Sequence, residues 1–132
     1  MSSEQQQAIS DVIIAYATAI DTRDWVKFKQ CFTDDVSADY GDFGRWASLD
    51  SFTQFMIDVH VNVGATLHRI SNIVISVEGS TANAKTYVDA LLMPLDVGGE
   101  PQRGIGYYQD ELVSTNKGWK ISQRIFTLVH TA

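Results

Sequence analysis

Near residue 64 the apolar pattern of this chain changes period, from the spacing of helices to that of strands. Ala8, Val12, Tyr16 and Ile20 recur every four residues with Ile9 and Ile13 beside them, which is one apolar stripe on an amphipathic helix. From Thr66 onward the runs 66–77, 81–92, 103–114 and 119–129 are instead rich in β-branched and aromatic residues. Breaks fall at Glu78-Gly79-Ser80, between Pro94 and Gln102, and at 115–118, the first and last short enough for hairpins. Helices first and a four-stranded antiparallel meander after them make an α+β chain.

The helical half is punctuated by capping residues. Ser2 or Ser3, with Gln5 or Gln6 three residues on, forms a capping box for the first helix. Asp21 stands where the stripe runs out, and Asp24 is placed to cap a short second helix through Trp25, Phe28 and Phe32. Val36–Tyr40 alternates as a strand does, and Gly41–Gly44 reads as a loop. A third helix is expected from Leu49 to Val63, with Ser48 or Ser51 as its cap and Gly64 as its stop. The order helix, helix, strand, helix and four strands predicts a cone-shaped α+β barrel. Three N-terminal helices would pack on the concave side of a curved, mainly antiparallel sheet and enclose a pocket.

The 132 residues suit one domain, 1–132. Composition is that of an ordinary globular chain, with 45% hydrophobic and 20% charged residues. A formal charge of −6 without a Lys/Arg cluster disfavours nucleic acid and anionic membrane as partners. The polar N-terminus lacks the basic and apolar regions of a signal peptide, so a cytoplasmic location is the default expectation. Cys31 is alone and reads as a buried structural thiol. No His/Asp/Glu trio has metal-ligand spacing, no glycine-rich phosphate loop precedes a helix, and no serine stands in a nucleophile elbow. No cofactor is therefore expected, and acid–base chemistry by Tyr, Asp and His remains.

Asp21 at a helix end and His68 at the front of the longest strand are the candidate pair, because a carboxylate beside an imidazole makes a base that works near neutral pH. His68 is expected on one strand face with Ile70, Asn72 and Val74. The combination Tyr16-x4-Asp21-x2-Asp24-Trp25, Phe32-Thr33-Asp34-Asp35, His68 and Gly118-Trp119-Lys120-Ile121 resembles the SnoaL-like branch of the NTF2-like superfamily, from about Ser3 to Thr127. By motif it is most similar to scytalone dehydratase, bile-acid 7α-dehydratase and the lindane dehydrochlorinase. The resemblance implies that Asp21 is the dyad carboxylate and His68 the base, and it matches Tyr16 to a first-helix tyrosine and Tyr40 to a tyrosine that helps hold a catalytic water; on the chemistry, both phenols are also candidate donors to an oxygen that gains charge. It departs from scytalone dehydratase where that enzyme has a second pocket histidine and this chain reads Lys85-Thr86-Tyr87-Val88.

That family implies a cofactor-independent, dehydratase-type lyase acting on a small hydrophobic cyclic substrate of aromatic, polyketide or steroid-like kind. Trp46, Phe55 and Tyr87 are then the expected substrate-binding walls, with Arg124 as a polar anchor. A homo-oligomer, dimer or trimer, would bury the outer sheet face, including one of Tyr107 and Tyr108. Two other readings stay open at this point: a SnoaL-like cyclase or isomerase using the same pocket, and a non-catalytic small-molecule binding protein.

Overall fold

A computed structural model describes residues 2–132. Helix α1 (Ser3–Thr22) begins with the expected capping box: Ser2 Oγ accepts from the Gln5 N–H at 3.1 Å, and Gln5 Oε1 accepts from the Ser2 N–H at 3.2 Å. Ile9, Ile13, Tyr16 and Ile20 of its stripe are all at 1% exposure or less, with Ala8 and Val12 partly buried beside them. Each such isoleucine contributes roughly 1.5–3 kcal/mol by leaving water. Arg23 ends the helix in the left-handed region (φ 58°), its N–H turned back onto the Ala19 and Ile20 carbonyls. Asp24 caps α2 (Trp25–Gln30) by accepting from the Lys27 N–H at 3.0 Å.

Strand β1 (Phe32–Asp39) starts four residues before the alternating Val36–Tyr40 run. It lies parallel to the last strand, and the Ile121 N–H donates to the Cys31 carbonyl at its entrance. Tyr40 follows the strand and opens a 3-10 turn over Gly41–Phe43, where a loop was expected; the two-residue β2 (Arg45–Trp46) then folds back on β1. Helix α3 (Leu49–Val61) is capped by Ser48 and stops two residues earlier than expected. Gly64 is not its stop. It already belongs to β3 (Val63–Glu78), where a Cβ would sit 2.8 Å from the Pro94 carbonyl oxygen.

Strands β3, β4 (Thr81–Pro94), β5 (Gln102–Thr115) and β6 (Gly118–Thr131) form the antiparallel meander. The six strands run β2-β1-β6-β5-β4-β3 in one mixed, unclosed sheet, and the three helices pack against it. Two register shifts shape it. At Asn72, itself left-handed at φ 51°, a bulge in β3 swaps the faces, so Thr66, His68 and Ile70 point inward before it and Ile73, Ile75 and Val77 after it. Asn72 and Val74 therefore do not share His68's face, and Val74 is 70% exposed. At Ile105/Gly106, a second bulge brings β5 so close to β6 that any side chain at Gly106 would meet the Thr127 carbonyl. Among the described residues no helix is long and apolar enough to cross a membrane.

Candidate active site

The last turn of α1 and the first residues of β3 are pinned together by hydrogen bonds. Arg23 spans the seam: Nη1 donates to the Ile20 carbonyl at 2.8 Å and to Thr66 Oγ1 at 2.9 Å, and Nη2 to the Gly64 carbonyl at 2.7 Å. Thr66 passes its own hydrogen to Asp21 Oδ1 at 2.9 Å. The His68 backbone N–H donates to Asp21 Oδ2 at 2.8 Å, and the His68 ring Nδ1 lies 2.7 Å from Oδ1. Burial pushes the Asp21 carboxyl up, but the bonds from the His68 ring, the His68 N–H and Thr66 outweigh it and hold it below its ordinary value. A carboxylate only accepts, so Nδ1 carries the hydrogen and Nε2 keeps its lone pair. Among the described residues that second nitrogen has no hydrogen-bond partner, and the ring lines a cavity.

The cavity measures about 530 Å³ and opens between the helices and the inner face of the meander. Phe55, Met56, Val88, Leu92, Phe126 and Leu128 give it apolar walls. Three phenols face into it. Tyr16 Oη sits 3.2 Å from Tyr40 Oη and 3.0 Å from Tyr108 Oη. Burial raises all three above the usual tyrosine value, so each stays a neutral donor. Three hydroxyls carry three hydrogens and the two bonds among them use two. Whichever way the chain is oriented, one O–H remains to donate into the cavity.

Arg124 lies beneath this cluster rather than in it. Its guanidinium is 4.0 Å from the Tyr16 ring centre and 3.8 Å from that of Tyr108, a cation over two aromatic faces. Nε and Nη2 donate to the two Asp110 oxygens at 2.8 and 2.9 Å, and both side chains are wholly buried. Burial works against its charge, but Asp110 and the phenols hold its pKa well above the ordinary value. Arg124 is therefore not a polar anchor for substrate. The register pairs it with Asp110 on the inner face, and it supports the phenols from behind.

The other expected wall residues divide. Phe55 lines the cavity. Trp46 stacks on Phe55 at 3.9 Å and packs on Tyr40, one layer back. Tyr87 stands on the outer face, 48% exposed, because β4 turns Ala84, Thr86, Val88 and Ala90 inward instead. Of the pair Tyr107 and Tyr108, it is Tyr108 that points in. Tyr108, Thr66, Arg23 and His60 were not expected in this site from sequence. Thr66 carried a signal, since it alternates onto His68's face; so did His60, one turn after Met56 on the buried stripe of α3.

The sequence profile of the SnoaL-like domain matches residues 1–125, nearly the whole chain. The chain belongs to the SnoaL-like family. Among solved structures, this SnoaL-like chain superposes with a TM-score of 0.91 on a Novosphingobium aromaticivorans protein provisionally named an aromatic ring hydroxylase, 28% identical, over all of this chain and 94% of that one. A second protein of that organism, provisionally named a scytalone dehydratase, gives 0.89 at 21% identity over 96% and 85%. A hexachlorocyclohexane dehydrochlorinase gives 0.87 at 17% identity over 96% and 86%. These last two share the fold with this SnoaL-like chain.

Proposed function

We propose that the protein is a cofactor-independent lyase that removes water from a small, hydrophobic cyclic carbonyl compound. One observation carries this reading. A hydrogen-bonded His68–Asp21 pair with a free ring nitrogen faces the same cavity as a phenol cluster that has one O–H to spare. Two similar folds belong to proteins named for eliminations, a dehydratase and a dehydrochlorinase. The apolar walls suit an aromatic, polyketide or steroid-like ring.

In this mechanism His68 Nε2 takes the proton on the carbon next to the carbonyl, and Asp21 stabilises the imidazolium that forms. The C–H electron pair forms the C=C bond of an enolate and the carbonyl π pair moves onto the oxygen, which accepts a hydrogen bond from the spare phenol O–H. As the enolate collapses, the C–O bond to the β-hydroxyl breaks, and the proton on His68 leaves with it as water. Atoms balance as substrate giving unsaturated carbonyl plus water, and His68 ends as it began.

The test is a panel of β-hydroxy cyclic ketones incubated with the protein in deuterium oxide and followed by NMR. Expected are loss of water and deuterium uptake at the α-carbon, both abolished in His68→Ala. Uptake without water loss would replace elimination with isomerisation or cyclisation. Absence of both water loss and uptake, for every ketone that binds, would end the enzyme reading. The proposal includes a homo-oligomer assembled through the outer sheet face, where Leu67, Val74, Tyr87 and Val129 are exposed; a monomer in sedimentation would remove that part.

A further inference from the structure

The last turn of α3 brings the cavity a second histidine, to which the proposed elimination gives no task. His60 is 7% exposed, with its ring centre 6.1 Å from that of Trp25 and 6.0 Å from that of His68. Its Nδ1 lies 2.7 Å from the Met56 carbonyl oxygen one turn back. A carbonyl oxygen only accepts, so Nδ1 carries the hydrogen and Nε2 keeps a lone pair in the neutral ring. Among the described residues Nε2 has no hydrogen-bond partner, while the ring forms part of the cavity wall.

The two imidazoles are thus not equivalent. His68 gives its Nδ1 hydrogen to a carboxylate, which steadies a positive ring; His60 gives its own to a neutral carbonyl. Burial lowers the His60 pKa against the Met56 bond, with Arg23 and His68 adding to the depression, and the ring stays neutral near pH 7. A neutral Nε2 on the cavity wall with no partner among the described residues makes a demand on whatever fills the cavity. An apolar group set against it leaves an acceptor stripped of water and unpaired.

We infer that His60 is a specificity-determining residue: its Nε2 accepts a hydrogen bond from an O–H or N–H of the ligand, so the cavity prefers cyclic apolar ligands with a donor at the imidazole end. The inference uses the cavity of the proposed function but concerns recognition and not turnover. With the rings 6.0 Å apart, a donor bound to His60 would place a neighbouring carbon near His68. The phenols at the other end supply donors, so the two ends would fix which way round a ligand lies.

The test compares 2-naphthol with 2-fluoronaphthalene, two probes alike in ring and size, of which only the first carries a donor. The full chain, labelled with ¹⁵N at histidine, is titrated with each and read by long-range proton–nitrogen correlation. The free protein should show His60 protonated at Nδ1. Added 2-naphthol should move the His60 Nε2 resonance upfield and bind roughly ten- to a hundredfold tighter than the fluoro compound. His60→Phe should bring the two probes to parity, and His60→Gln, whose side-chain oxygen accepts, should restore part of the preference. A His60 nitrogen that stays still while 2-naphthol binds overturns the inference, as does a preference that survives in His60→Phe; either leaves the elimination reading standing. Failure of both probes to bind would overturn it together with the small-molecule reading of the cavity.

Discussion

The two ends of the cavity hold their polar groups in different ways. At the imidazole end Asp21 is fixed by short bonds from Thr66 and from the backbone and ring of His68, all at the junction of one helix end with one strand start. At the phenol end no backbone group among the described residues bonds the hydroxyls. Three hydroxyls from α1, the turn after β1 and β5 hold one another above a buried Arg124–Asp110 pair. The first end presents a lone pair; the second presents a hydrogen. They also differ in what a substitution disturbs. His68 can lose its ring without orphaning a buried charge, because Asp21 keeps two other donors, whereas removing Arg124 strands a carboxylate in the core.

The sharpest break of this comparison is His68→Ala. Turnover of any ketone found in the screen should fall by about 10²–10⁴, the usual worth of general acid–base help, with little change in unfolding midpoint. A large drop in stability with activity retained would assign His68 to the scaffold. Arg124→Met should show the reverse at the other end. Asp110 would be left buried and uncompensated, at a cost of about 3–5 kcal/mol in denaturant unfolding. Adding Asp110→Leu to it should recover most of that loss, since two apolar groups need no partner. Next comes Tyr16→Phe. Tyr16 makes both hydroxyl bonds, so its loss should cost more than that of Tyr40 or Tyr108, up to about 10²–10³ in rate. Equal effects from all three would mean that the spare hydrogen is not delivered through Tyr16.

The imidazole end was readable in the sequence because its parts are local. A stripe with period four, a carboxylate where it stops and a histidine at the front of a β-branched run place Asp21 and His68 without any pairing information. The phenol end depends on strand parity, which is set only once register is known. Tyr107 and Tyr108 are adjacent, and nothing local says which faces in. Tyr87 went to the wrong face for the same reason. A large aromatic looks like pocket wall, yet β4 puts alanines inside, where they pack in one core cluster with the α1 stripe. The bulge at Asn72 has no glycine or proline to mark it, and the parallel pairing of β1 with β6 joins residues too far apart in sequence for any short pattern to show.

The smallest expected effects concern acid, and they sharpen the contrast between the ends. His60 is held neutral by burial, so its folded pKa lies below its unfolded value of about 6.5. As pH falls below ~6.5 the unfolded chain takes up a proton that the folded chain refuses. Stability therefore declines through that window and levels once the folded ring also protonates. Asp21 behaves with the same sign at lower pH, because its folded pKa is also depressed. Its contribution is complete above the ordinary carboxylate value of about 3.9 and is lost as pH drops from there through the folded value. Unfolding midpoints measured from pH 7 to pH 3 should thus fall in two stages. His60→Gln should flatten the first and spare the second; Asp21→Asn should reduce the second, which Asp89, held low by its bond from Arg103, shares. The phenols lie above their usual range and contribute nothing here, so Tyr16→Phe should shift the whole curve without changing its shape. A Tyr16→Phe curve with a different acid slope would show that the two ends are coupled.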